Sequence, residues 1–195
     1  MSWWSSRKIE YGKLNISLIY KFIFICPSSI IKKVKTIGNA EGENNYKHTY
    51  NPVSARSCSF KERGITKDLL ATILAEIKRP LTAMGTYSKL KGGGNVEETV
   101  YSILNCTTLA DRDFELIVFR EHSDMTDTEA IFYYIRNAFA HGSFEFKNSG
   151  GPVYYLESRS AGIIKAQMRL KESTLKKYIT LIEKTPAQIK ELRKK

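Results

Sequence analysis

Cysteine is scarce in this chain: there are three in 195 residues, Cys26, Cys58 and Cys106. They are odd in number and far apart, with no CxxC spacing and no histidine at ligand distance. This excludes a disulfide framework or a zinc site of ordinary spacing and points to a reducing, cytoplasmic compartment. Long apolar runs are missing too. The longest, Phe22 to Cys26 with Leu18 to Tyr20 just before it, is cut by Lys21 and falls far short of the roughly 18 residues a membrane span needs. Lys21 and the bulky Phe22, Phe24 and Ile25 also spoil the unbroken apolar centre and small-residue cleavage site of a secretory signal, so neither a spanning helix nor a leader is expected. Acidic residues are thin, 20 Asp+Glu against 31 Lys+Arg for a net charge of +11, and Glu10 is the only acid before residue 40. An acidic disordered protein is excluded. A polyanion becomes the first partner to consider, because summed positive potential attracts phosphates before any specific contact forms. No internal repeat or low-complexity tract is visible.

What is present suffices for one core: 42% hydrophobic and 11% aromatic residues in a chain of about one domain's length. Composition divides it into a basic N-terminal extension (1–40), a polar linker (41–63) and a folded domain (64–195). Within the extension, Leu18 to Ile25 is rich in β-branched and aromatic residues and stops at Pro27, which suggests a buried strand. In the domain, Thr66 is placed to cap a helix whose apolar residues Leu69, Leu70, Ile73, Leu74 and Ile77 recur at helical spacing until Pro80. Gly92–Gly93–Gly94 forms a loop and lacks the Lys-Ser/Thr pair of a phosphate cradle. Residues 96–120 support a helix or strands equally. Thr126 or Asp127 caps the strongest helix, Thr128 to Ala140, with Ile131, Tyr134, Ile135, Ala138 and Phe139 as its stripe and Gly142 as its stop. Alternation from Phe144 to Leu170, broken at Asn148–Ser149–Gly150–Gly151 and Ser160–Ala161–Gly162, predicts a small β-meander. A basic-flanked helix, Glu172 to Lys184, and a short turn from Pro186 end the chain.

The chemistry concentrates at the end of the strongest helix, in Arg136–Asn137–Ala138–Phe139–Ala140–His141. Asn137 and His141 are four apart and share a face, whereas Arg136 and His141 sit roughly 140° apart at about 100° per residue. An arginine offers a planar charged fork for phosphate oxygens, and a histidine exchanges protons near neutral pH. The alternative is structural: Arg136 pairs with Glu129 one face-repeat back, and His141 complements the helix dipole.

The RNAFAH run resembles the Arg-polar-x3-His motif of HEPN domains. Its context, from Thr128 to Ala140 and on into Gly142–Ser143–Phe144, is similar to the plasmid- and defence-associated branch in which strands follow the motif helix. The likeness covers about residues 64–195. It implies a mainly α fold, a HEPN-type helical bundle with a small β-meander after the motif helix, dimerising around that helix. In active members it implies a metal-independent endoribonuclease of toxin–antitoxin or defence systems, with an antitoxin or defence protein as a possible partner. Carried onto this sequence, Arg136 and His141 become the essential pair and Asn137 the polar orienter, with no cofactor and no metal. Thr128 and Phe132 stand where some relatives carry an acid and a base. Ser143 stands where another branch carries a modified tyrosine, which argues against that arrangement.

Cutting RNA without metal requires a base for the 2′-OH, an acid for the departing 5′-oxygen and a cation for the phosphoryl oxygens. One chain supplies one motif histidine, since His48 lies in the linker and His122 in a loop. A two-fold homodimer would supply the second, and the aromatic run Phe132–Tyr133–Tyr134 exceeds what one helix face needs. Lys165, Arg169, Lys171, Lys176 and Lys177 are candidates to track the RNA backbone, with Tyr154 or Tyr155 stacking on a base; a solvated basic face and core tyrosines are the structural alternative. A catalytically silent HEPN module and a basic DNA-binding regulator remain the competing functional classes.

Overall fold

Five strands form one mixed sheet in the computed structural model, which describes residues 15–25, 60–61, 63–105, 114–148 and 151–194. They are β1 (Tyr87–Leu90), β2 (Leu116–Arg120), β3 (Phe144–Lys147), β4 (Val153–Ser160) and β5 (Ile163–Lys171), in the spatial order β1-β2-β5-β4-β3. β1 and β2 run parallel and every other pairing is antiparallel. The described residues also form six helices: α1 (Ile16–Ile25), α2 (Lys67–Thr82), α3 (Val96–Leu104), α4 (Asp127–Ala140), α5 (Glu172–Glu183) and α6 (Pro186–Glu191).

This architecture corrects the expected mainly α bundle. The strands after the motif helix are not a small appendage, because the sheet continues from β5 through β2 into β1, with α3 on one face of it and the main core on the other. β2 accounts for the difference. Leu116, Ile117, Val118 and Phe119 are all completely buried, so a strand covered on both faces shows no period-two alternation and its sequence is an unbroken apolar run. Its odd and even positions serve two cores. Ile117 and Phe119 join the main core with α1, α2, α4, α5 and α6, while Leu116 and Val118 pack with Val96 and Val100 of α3 in a smaller core on the opposite face.

The interval left open between helix and strand holds both. α3 begins at Asn95, whose side chain accepts from the N–H groups of Glu97 and Glu98, and β2 follows; residues 106–113 lie outside the described part. Because β1 and β2 are parallel neighbours, α3 is their crossover connection, which a two-residue hairpin cannot replace. α2 also runs past Pro80 to Thr82. So late in the helix the proline removes one backbone donor, and Leu81, 2% exposed, anchors the final turn in the core.

The apolar run at Leu18 is helical, not a strand. Asn15 accepts the N–H of Leu18 at 3.0 Å through its side chain and donates to Glu172 at 3.0 Å. Leu18, Ile19 and Phe22 are buried at helical spacing, and the Phe22 ring sits 5.6 Å from that of Phe139. Tertiary packing overrides β propensity here. Part of the N-terminal extension therefore contributes to the main core. Most of the linker lies outside the described residues.

Candidate functional site

The motif helix α4 is fixed at both ends by its own sequence. The Thr126 side chain accepts the N–H of Glu129 while the Glu129 carboxylate accepts the N–H of Thr126 at 2.8 Å, a reciprocal capping box. At the other end Ser143 N–H donates to Ala138 at 2.8 Å and Gly142 N–H to Phe139 at 3.2 Å, the paired bonds of a Schellman motif. Gly142 has φ +65°, a conformation that favours glycine. The helix is therefore regular through Ala140, and His141 is its C-cap.

Nine of the 14 residues of α4 are buried. The other five are Asp127, in the first turn, and Glu129, Tyr133, Arg136 and Ala140; the last four, at spacings of four, three and four, form a single stripe. The aromatic run is mostly spent inside the chain: Phe132 packs against Phe60 and Tyr178, and Tyr134 against Phe119. Phe132 and Tyr134 are 1% and 3% exposed, so an excess of aromatics is no longer an argument for a dimer; only Tyr133 is partly open.

Arg136 does not pair with Glu129, whose carboxylate is occupied by Thr126. Instead Nη1 of Arg136 donates to Oδ1 of Asn137 at 3.1 Å, and its Nε is buried without a partner among the described residues. Asn137 is 9% exposed. His141 is exposed; its backbone N–H donates to Asn137 O at 3.0 Å, leaving the imidazole to solvent. The three motif residues thus occupy one helix end, with the amide steering the guanidinium.

On the other side of Asn137 lies a polar cleft of about 320 Å³. It opens where β1 and β2 end and the β4–β5 hairpin turns, and Arg120, His122, Tyr133, Asn137, Ser158 and Lys165 are among the residues that line it. Tyr134 donates to the Arg120 carbonyl at 3.1 Å, and burial pushes its phenol up to about 12, so it remains a donor. Lys89 binds Glu121 at 2.7 Å and Asp127 at 2.8 Å, joining β1 to the loop after β2 and to the first turn of α4. Those two hydrogen bonds raise the Lys89 amine.

The proposed RNA track does not assemble as one surface. Lys165 lines the cleft. Arg169 lies on the α3 side of the sheet, its guanidinium 4.6 Å from the centre of the Phe114 ring and its Nε donating to Tyr155 at 3.3 Å. Lys171 precedes α5, with its N–H donating to Glu115 at 2.7 Å. Lys176, on α5, is paired with Glu172 at 2.6 Å, and Lys177 beside it is exposed. Tyr154 is completely buried, with its hydroxyl on Glu172 at 3.4 Å, and no base can stack on it. Tyr155 keeps a partly open ring beneath the Lys147 amine. His48 lies outside the described residues.

The residues that sequence reasoning missed are those of the cleft, Arg120, Ser158 and Arg159 above all. No local pattern announces them, because they meet only through the antiparallel pairing of β5 with β2 on one side and β4 on the other. Among the described residues no group of three or more His, Cys, Asp or Glu side chains is placed to hold a metal ion, and no helix is long and apolar enough to cross a membrane. No protein-family model, no curated protein and no solved structure matches the chain.

Proposed function

We propose that this protein is a metal-independent endoribonuclease of the HEPN type, a cytoplasmic toxin or defence effector that works as a homodimer. The observation that carries this reading is Arg136, which has no carboxylate partner among the described residues and is steered by Asn137 at the end of the helix that presents His141 to solvent. A structural arginine at this depth would be expected to face an acid. This one is held by a neutral amide that leaves its charge uncompensated.

The ribose 2′-hydroxyl attacks the neighbouring phosphorus as one His141 removes its proton. The 5′-oxygen leaves with a proton from His141 of the second copy, and the two Arg136 side chains stabilise the charge on the non-bridging oxygens. The products are a 2′,3′-cyclic phosphate and a 5′-hydroxyl. One motif histidine per chain gives the dimer its chemical motive, and the stripe Glu129, Tyr133, Arg136 and Ala140 is the open face of α4 on which a second copy can lie. RNA is the substrate, and an antitoxin or defence partner would restrain the activity.

The test is cleavage and binding of labelled RNA by wild-type protein, Arg136→Ala and Arg136→Lys. Both variants should lose cleavage, since a point charge does not reproduce the guanidinium fork. RNA that is bound with steep salt dependence yet left intact by the wild type would replace this reading with a silent binding module.

A further inference from the structure

We propose that the cleft at the carboxyl ends of β1 and β2 is a binding site for a phosphomonoester. The site lies where the sheet of an α/β protein most readily takes a ligand. β1 and β2 are parallel, their connecting helix α3 covers one face, and the helix that follows β2, α4, covers the other. Chain direction therefore parts to opposite faces at these strand ends and leaves a crevice between the loops. Gly92, after β1, and Glu121 to Ser123, after β2, form that rim.

A β-bulge completes it. Arg159 pairs with Ile164 and Ser158 with Ala166, so Lys165 is the extra residue on β5. An extra residue reverses the alternation of the strand beyond it. Lys165 accordingly lines the cleft with Ser158 and Ser160, although Ile164, beside it, packs into the α3 core.

The charge balance selects the ligand. Glu121, the one acid in the lining, is bound by Lys89 at 2.7 Å, and Arg159 is bound by Glu157. Among the described residues Arg120 and Lys165 have no carboxylate partner, and the buried Nε of Arg120 has no hydrogen-bond partner. Two uncompensated cations match a terminal phosphate, which carries about −1.5 to −2 at pH 7, better than a phosphodiester with its single charge. Neutral donors surround them. Ser123, Ser158 and Ser160 offer hydroxyls, and Asn137 keeps its Nδ2 because its Oδ1 is taken by Arg136. His122 accepts the Asp124 N–H on Nδ1 at 3.2 Å, so its neutral ring donates through Nε2. About 320 Å³ is more than a bare phosphate fills and falls in the range of small-molecule sites. The Tyr133 and His122 rings, 5.7 Å apart, leave an aromatic wall for the sugar or base the phosphate carries.

The terminal phosphate can come from a free sugar phosphate or nucleotide, or from the 5′ end of an RNA. The experiment is calorimetric titration with ribose 5-phosphate, ribose, and a trinucleotide RNA with and without a 5′-phosphate, using the His141→Ala protein so that no RNA is consumed. Saturable binding of a phosphorylated probe, with ribose and the 5′-hydroxyl RNA at least about tenfold weaker, is the expected result. Ribose 5-phosphate binding alone assigns the free ligand, and binding of the 5′-phosphorylated trinucleotide alone assigns the RNA end. Arg120→Gln and Lys165→Gln should each weaken binding about tenfold or more. Lys165 is half-buried on a hairpin, so its variant tests the site even where Arg120→Gln unfolds, with thermal melts of the unliganded variants as the fold check. Failure of both phosphorylated probes to saturate by about 10 mM, or a folded Lys165→Gln that binds as well as its parent, overturns the proposal. The binding arm is read at Arg120 and Lys165 and requires no cleavage, so it stands or falls apart from the nuclease assignment.

Discussion

Asn137 holds Arg136. The guanidinium donates to the amide oxygen at 3.1 Å from the adjacent position on the same helix, and the amide is itself 9% exposed. Asn137→Ala should therefore leave the charge in place but lose its aim, lowering cleavage of RNA with a 5′-hydroxyl about tenfold while affinity for that RNA changes little. This is a smaller loss than Arg136→Ala produces, because orientation is lost rather than the group. A single-turnover assay at saturating protein separates the two effects.

Gly142 ends the motif helix with φ +65° and has nothing within 4 Å of where a Cβ would stand. Gly142→Ala should cost about 1 kcal/mol through backbone conformation alone, and Gly142→Asn should recover part of it, since asparagine tolerates the left-handed region. Urea unfolding of the three proteins checks the order. A recovery by asparagine is not expected if the loss came from steric crowding.

The motif helix was legible because its determinants are local: the Thr126 and Glu129 pair, the stripe of Ile131, Ile135 and Ala138, and Gly142. The fold class was not, for reasons tied to particular strands. Tyr87–Leu90 is four half-buried residues at a sheet edge, too short for a periodic signal, and Leu116–Phe119 is covered on both faces. α1 has a strand-like sequence, since Leu18 to Ile25 is β-branched and aromatic, and its helical cap, Asn15, is held by Glu172, 157 residues away. The same distance effect hid the cleft, where Arg120 and Lys165 come together through sheet pairing. The local triad Arg136, Asn137 and His141 was visible as a pattern, but its hydrogen-bonding was not: spacing permits Arg136 to pair with Glu129, and only the capping box removes that partner.

Stability should fall on acidification partly through Glu172. Burial alone raises its carboxyl, but hydrogen bonds from Lys176, Asn15 and Tyr154 outweigh that and hold it below the ordinary value of 4.5. A depressed folded pKa means the folded state binds the proton less readily than the unfolded chain. The contribution is thus complete above the ordinary carboxylate range and disappears as pH falls through the folded value. Glu172→Gln should destabilise by about 1 kcal/mol at pH 7 and show a shallower acid loss below about pH 5 in thermal melts. Parallel acid limbs for the two proteins would contradict this.

The β4–β5 turn has Ala161 at φ +50° followed by Gly162 at φ +75°, a two-residue hairpin loop with both central residues left-handed. Alanine is a poor choice there. Ala161→Asn should stabilise by about 0.5–1 kcal/mol, read as a shift of the urea midpoint at constant slope; an unchanged midpoint would mean the strain is relieved elsewhere.

The central claim is that His141 and Arg136 cut RNA through the neighbouring 2′-hydroxyl, and the most direct measurement is the cleavage rate, in EDTA, of an oligonucleotide with ribose or 2′-deoxyribose at the cut position, by wild type and His141→Ala. The account predicts that wild type cuts the ribose substrate to a 2′,3′-cyclic phosphate, leaves the deoxy substrate intact, and loses about 10²–10⁴ in rate on His141→Ala. Cleavage of the deoxy substrate, a requirement for Mg²⁺, or an undiminished rate in His141→Ala would contradict it.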